Sequence, residues 1–281
     1  MRVSSLPLLA LLALLPAAVG CAGTLSGPEA GDAEATTTSA VVVVERTADA
    51  TEGARAEASA RFIRVAAPSS PADALRAIGA SFDLPARGTC ATMAALTGAA
   101  PSAQAPVVEL VDVGAVSLEA DGVETRLAPR QLPDVTDVVS GVVYARATDP
   151  ALLPAATRYT VHVAGGHGLD GFDVSASAAG DPGEVRLGGE DAHGTLVATG
   201  SSFDLTWAAD GSDDLVYVDV RPSGVRCVLD GAGHGALSTL LLDDAGTLVV
   251  HRLHREPLRA RGVDSGEIRF DFARAVAYTR R

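Results

Sequence analysis

The chain has 281 residues and a formal net charge of −13, with 47 % hydrophobic but only 4 % aromatic residues. Its basic residues are all arginine and scattered, and their densest group (Arg252, Arg255, Arg259, Arg261) is interrupted by Glu256 and Pro257. Nucleic acid and anionic lipid surfaces both demand a positive stripe, so composition argues against either as a partner.

The N-terminus follows the plan of an export signal. Arg2 is followed by an apolar stretch, Leu6–Leu15, and then by the small residues Ala17, Ala18 and Gly20. That stretch is too short to span a bilayer, which needs about 20 apolar residues. No later segment is long and apolar enough for a membrane helix. The end of the signal, Ala18-Val19-Gly20-Cys21, resembles the lipobox of bacterial lipoproteins. That resemblance implies cleavage before Cys21, acylation of its thiol and new amino terminus, and a lasting membrane anchor. An ordinary secretory signal cut near the same place is the alternative. Ala22 is not the Asp that would resemble an inner-membrane retention signal, so the outer membrane is favoured in a cell with two.

Residues 1–20 are therefore expected as a signal peptide. Residues 21–56 read as a flexible tether, because they are mostly rich in Gly, Ala, Thr and acids, with one strand-like run at Ala40–Arg46. A first domain is expected over 57–180. It holds a strand at Ala60–Ala66 and a helix over Ser70–Ala80, with Ser70 as cap and Pro71 in the first turn. Strand-like runs follow at Val107–Val113 and on either side of Asp121-Gly122, a hairpin signal because glycine tolerates positive φ. Further runs lie at Val138–Ala145, Tyr159–Val163 and Phe172–Ala176.

Asp181-Pro182-Gly183 marks the expected boundary to a second domain over 183–281. Its runs are Ser202–Trp207, Leu215–Val220, Val225–Leu229, Thr247–Leu253 and Ile268–Tyr278. Short strands separated by turns at this spacing predict a mainly all-β fold of two sandwiches in tandem with one short N-terminal helix.

Two segments resemble fibronectin type III and related immunoglobulin-like domains. In Leu152–Val163, Leu153 and Pro154 precede a Tyr that opens an alternating strand. The resemblance implies a tyrosine corner, with the Tyr159 ring buried and its hydroxyl returned to backbone upstream. Phe203–Val220 is similar to the second and third strands of that superfamily, and it implies that Trp207 plugs the core of its domain.

Once Cys21 is taken by lipid, Cys90 and Cys227 are left as an even pair in an oxidising compartment. A disulfide between them would close a loop of about 140 residues; two separate buried thiols are the other reading. The histidines form no metal signature. His251 and His254 lie three apart in a strand-like run and face opposite ways, and His162 and His167 fail the same parity. His193 and His234 sit alone in Gly-rich loops. Asp210–Asp214 and Asp243–Gly246 read as turns, since the first lacks the Gly and the twelfth-position acid of a calcium loop. No nucleophile elbow and no phosphate cradle is present.

Neither a cofactor nor a metal is implied. The sequence thus points to a non-catalytic, envelope-anchored lipoprotein with a structural, adhesive or assembly role and an envelope protein as partner. The alternative is capture of a small molecule or glycan between two sandwich units, for which a concave polar cleft holding a buried Arg would speak.

Overall fold

The computed structural model describes residues 35–49, 53–98, 107–135, 139–183, 185–187, 190–191, 195–208, 214–229 and 233–281. The signal segment, Cys21, tether residues 21–34 and 50–52, His193 and Asp210–Asp213 lie outside the described residues.

Two long strands, β1 (Thr36–Asp49) and β2 (Gly53–Ala66), form an antiparallel pair over their whole length. The helix α1 (Pro71–Ala77) follows, with the Ser70 hydroxyl accepting from the Asp73 amide and Pro71 opening the first turn. Next come β3 (Cys90–Thr92), the short helix α2 (Met93–Thr97), β4 (Val108–Leu110) and the hairpin of β5 (Val116–Ala120) and β6 (Val123–Arg126). Asp121 and Gly122 both take positive φ between these hairpin strands, as a tight primed turn requires. The first half closes with β7 (Ala128–Val135), β8 (Val139–Thr148), β9 (Arg158–Val163) and β10 (Phe172–Ser177).

The second half opens with the short strands β11 (Arg186–Leu187), β12 (Glu190–Asp191) and β13 (Leu196–Ala198). Then follow β14 (Ser202–Thr206), β15 (Leu215–Arg221), β16 (Val225–Val228) and β17 (His234–Ser238). The last two strands, β18 (Ala245–Pro257) and β19 (Ser265–Arg280), pair along most of their length.

The fold is mainly β, but the expected tandem division needs correcting. Strands of both halves join in one long sheet, ordered β3-β16-β15-β18-β19-β1-β2-β4-β8-β7, with β13 also on β19. The link is the parallel pairing of β1 with β19, from Ser39 opposite Ser265 to Asp49 opposite Ala275. Two smaller sheets, β10-β9-β5-β6 and β12-β11-β14-β17, complete the molecule. The tether boundary moves too: Ala40, Val42 and Val44 of β1 are fully buried, so from Thr36 onward the chain belongs to the folded body.

One face of the long sheet, here called inner, carries two separate apolar cores. The first joins Val42, Val44, Ala58, Phe62, Tyr144, Ile268, Phe270 and Phe272 to residues such as Leu118, Tyr159 and Val161 of the β9-containing sheet. The second joins Val216, Val218, Leu248, Val250, Val276 and Tyr278 to Phe203, Leu205, Trp207 and Leu237. Between them runs a polar band. Arg46 pairs with Asp181, Arg274 Nη1 donates to the Gly183 carbonyl at 2.6 Å, and Asp214 accepts from Arg252 Nε at 2.8 Å and His254 Nδ1 at 2.7 Å. The β19 stripe therefore reads Ile268, Phe270, Phe272, then Arg274, then Val276, Tyr278. Asp181-Pro182-Gly183, expected as a domain boundary, is where the chain crosses this band.

Candidate functional site

The outer face of the same sheet is treated differently along its length. At one end α1 covers Ile63, Val65, Val108 and Leu110 with Ala74, Leu75 and Ile78. From there residues 79–89 run as a strap over the sheet, setting Phe82 and Leu84 against Tyr217, Val228 and Leu253. Three strands grip this strap with arginine. Arg269 Nη1 donates to Ala80 O (3.2 Å), Arg255 Nη2 to Phe82 O (3.4 Å) and Arg226 Nη1 to Asp83 O (3.4 Å). All three guanidinium groups also lie within cation–π reach of the Phe82 ring, at 5.7, 5.5 and 5.0 Å. The strap ends at the disulfide Cys90–Cys227, which joins two directly opposed residues of β3 and β16.

Beside the strap the outer face is open. Three adjoining hollows of about 240, 510 and 270 Å³ make one groove. The first two share Glu45, Glu57 and Asp271, and the second and third share Thr47, Arg55, Arg221 and His251. From Arg269 to Ala275 along β19 it runs roughly 20 Å, at the rise of an extended strand. The short side chains of Thr47 and Ala275 line its second half, between Arg55 and His251.

Charge on the floor is arranged in cross-strand rows. Glu57 of β2 stands opposite Glu45 of β1, which stands opposite Asp271 of β19. Such partners sit only about 5 Å apart at Cβ, and like charges there are destabilising. Asp271 is well served, since Tyr217 Oη donates to its Oδ2 (2.5 Å) and His251 Nδ1 to its Oδ1 (2.9 Å). Glu45 and Glu57 have no hydrogen bond or ion pair among the described residues. Burial, then the charges of Asp271 and Glu57, push the Glu45 carboxyl above its usual range, partly offset by His251 and Arg61. Desolvation lowers the Arg61 guanidinium in turn.

Next to the acid row lies a buried polar network. The Tyr217 and His251 rings stack at 4.2 Å between centroids, and Arg226 donates two bonds to Asp219, from Nε (2.7 Å) and Nη2 (2.9 Å). Burial, then the Asp271 charge, drives the Tyr217 hydroxyl far above its ordinary pKa. His251 is 9 % exposed, and its Nε2 is buried without a hydrogen-bond partner, facing Asp219 Oδ2 at 3.7 Å. Asp271 could orient His251 for catalysis, but the group opposite Nε2 is a carboxylate rather than the hydroxyl or thiol of a triad.

The structure brings Cys90 and Cys227 together and places Tyr159 and Trp207 in the first and second core respectively. Tyr159 Oη donates to the Pro154 carbonyl at 2.7 Å, the upstream backbone bond that a tyrosine corner makes. His251 lies on the outer face and His254 in the inner polar band, as strand parity requires. His162 reaches Asp173 at 2.8 Å, and that bond, ahead of the other causes, raises its pKa. No group of His, Cys, Asp and Glu among the described residues could hold a metal ion. A further hollow of about 530 Å³ opens at the edge of the second core, between Cys90–Cys227 and His234–Leu237, with a lining that carries no carboxylate and no arginine.

The groove residues Glu45, Glu57 and Asp271 escaped the sequence reading. Each sits at an outward position of an alternating strand, so the face it takes was legible, but their meeting depends on the register of β1 with β2 and β19.

No protein-family model matches the chain, and no curated protein matches it. Among solved structures, the Fcho1 mu homology domain of Danio rerio with bound Eps15 peptide aligns over 88 % of this chain and 97 % of that one, at 9 % identity and a TM-score of 0.24. A bacterial adhesin from Mobiluncus mulieris, containing intramolecular disulfide, isopeptide and ester bond cross-links, aligns over 85 % and 99 %, at 8 % identity and a TM-score of 0.14. Likeness this low carries neither fold nor function to this chain.

Proposed function

We propose that this protein is an exported lipoprotein, anchored through Cys21, that holds a polar, extended ligand in the groove on the outer face of its long sheet. The role is binding rather than catalysis, and an adhesive or assembly role in the envelope is the same activity with a surface-borne ligand. The observation that carries the reading is the groove floor, where Glu45 and Glu57 oppose each other with no hydrogen bond or ion pair among the described residues and only the longer-range charges of Arg61 and His251 to offset them. A face selected only for stability would pair or separate those charges.

The site test is a photo-crosslinking residue placed at Thr47 on the groove floor of the anchored protein, in cells, with a second at Leu240, which is 86 % exposed away from the groove. Adducts from position 47 and not from 240 support the groove; adducts only from 240 refute it. The anchor is tested in parallel by feeding an alkynyl fatty acid. The Cys21→Ala protein is expected to take up no label, and uptake equal to wild type refutes lipidation.

A further inference from the structure

We propose that β17 is an acceptor edge, to which an extended, uncharged segment of a partner protein adds as a further strand. Its side chains would enter the hollow of about 530 Å³ beside Cys90–Cys227. This site shares no residue with the outer groove and stands or falls independently of it.

The first observation is where the main chain of β17 points. The strand ends its sheet, with β14 as its one partner strand among the described residues. At the two ends of this ladder Thr239 N donates to Ser201 O and Trp207 N to Gly233 O, both at 3.1 Å. Bonded and non-bonded pairs alternate in an antiparallel ladder, so Gly235 and Leu237 exchange their bonds with β14. The main chain of His234 and Ala236 therefore points away from the sheet. Nothing among the described residues bonds to it.

The second is the hollow alongside. It is lined by four consecutive residues of β17, His234–Leu237, whose side chains alternate between the two faces of the strand. A cavity that touches all four lies along the edge of the strand and not on one face. Gly88, the disulfide, Val228 and Leu229 form its other wall. Of the lining side chains only that of His234 carries a nitrogen or oxygen, so the other hydrogen-bonding groups on offer are main-chain N–H and C=O. A ligand read through main chain is an extended peptide, with affinity from ladder bonds and specificity from alternate side chains. A charged side chain would lose water here without gaining a partner, which favours small and apolar ones.

The third is what this edge lacks. Open edges invite pairing, and proteins commonly blunt them with charge, proline or shortness. Here β7 carries Pro129 and Arg130, β6 Glu124 and Arg126, and β10 Asp173. β12 is two acids, and β3 and β13 have three residues each. β17 runs for five residues without Asp, Glu, Arg or Pro. A second copy of the chain is a poorer occupant, because each copy brings a net charge of −13.

The test is hydrogen–deuterium exchange of the detergent-solubilised full chain with two peptides. One is acetyl-Thr-Val-Thr-Val-Thr-amide; the other is the same peptide N-methylated at every residue, which keeps the side chains and removes every main-chain donor. At millimolar concentration the first is expected to slow exchange within residues 234–238 at least about threefold, and the second to leave it unchanged. Ala236→Pro removes an outward N–H that β14 does not use. It is expected to abolish the protection while melting within about 3 °C of wild type. Should that variant fail to fold, His234→Pro makes the same deletion at the first residue of the strand, where proline is tolerated. Equal protection by both peptides, protection only outside 234–238, or none at millimolar peptide overturns the assignment. Protection of 234–238 that grows with protein concentration in the absence of peptide makes a second copy the occupant, and overturns it equally.

Discussion

The inner and outer faces of the long sheet obey different rules, although the same strands build both. Every second residue of β19 from Ile268 to Tyr278 feeds an apolar core, except Arg274, which marks the chain crossing between the two cores. The intervening residues include Arg269 and Asp271, which serve the strap, the buried network and the groove. The inner face is apolar wherever the small sheets cover it, and its polar band is paired throughout. The outer face carries Glu45 and Glu57, both exposed and without a hydrogen bond or ion pair among the described residues. The contrast fits the proposal that the outer face answers to a ligand as well as to stability.

The comparison breaks most visibly in the inner core. Phe270 is fully buried and lies 5.1 Å from the Tyr159 ring and 6.3 Å from Phe272, on the strand common to both halves. Phe270→Ala is expected to lower unfolding free energy by about 3–5 kcal/mol in a urea titration. Because one sheet runs through both cores, Trp207 fluorescence, which reports on the second core, should follow the same transition as far-ultraviolet circular dichroism. Two separated transitions would show that the halves unfold as independent domains.

The strap comes next. Phe82→Ala removes a half-buried ring and its three cation–π contacts, for an expected cost of about 1–3 kcal/mol. Limited proteolysis should then cut first within residues 79–89, while Cys90–Cys227 keeps the far end attached. Unchanged protease resistance would mean that the carbonyl bonds from Arg226, Arg255 and Arg269 hold the strap without the ring.

Local chemistry made much of this molecule legible in the sequence. Alternation gave the strands, Ser70 and Pro71 gave α1, Asp121-Gly122 gave the hairpin, and Leu153, Pro154 and Tyr159 gave the bond from Tyr159 to Pro154. Cys90 and Cys227 were recognisable as a pair by compartment and parity of number. What stayed hidden was every feature that depends on distant register. The parallel join of β1 to β19 brings residues some 226 positions apart into one sheet, and no periodic pattern encodes a partner at that separation. Missing that join made β1 look like tether and split one sheet into two domains. It also hid the groove, because Glu45 is unremarkable until Glu57 and Asp271 stand on either side of it.

The smallest expected effect tests the contrast most directly, because its sign is unusual. Glu45 on β1 faces Glu57 and Arg61 on β2, Asp271 on β19 and His251 on β18, and its carboxyl is raised above 4.5, the ordinary value. A raised carboxyl favours the folded state below that value, and the benefit is lost as pH rises through the raised folded-state pKa. At neutral pH the ionised Glu45 is therefore a liability that solvent only partly screens. Thermal melts of wild type and Glu45→Gln across pH decide the matter. The variant is expected to melt about 1–3 °C higher at neutral pH, a shift of the size a single cross-strand charge gives. The difference should shrink to nothing as pH falls below the ordinary glutamate range. A variant that melts lower than wild type at neutral pH would contradict the view that this face gives up stability to bind a ligand.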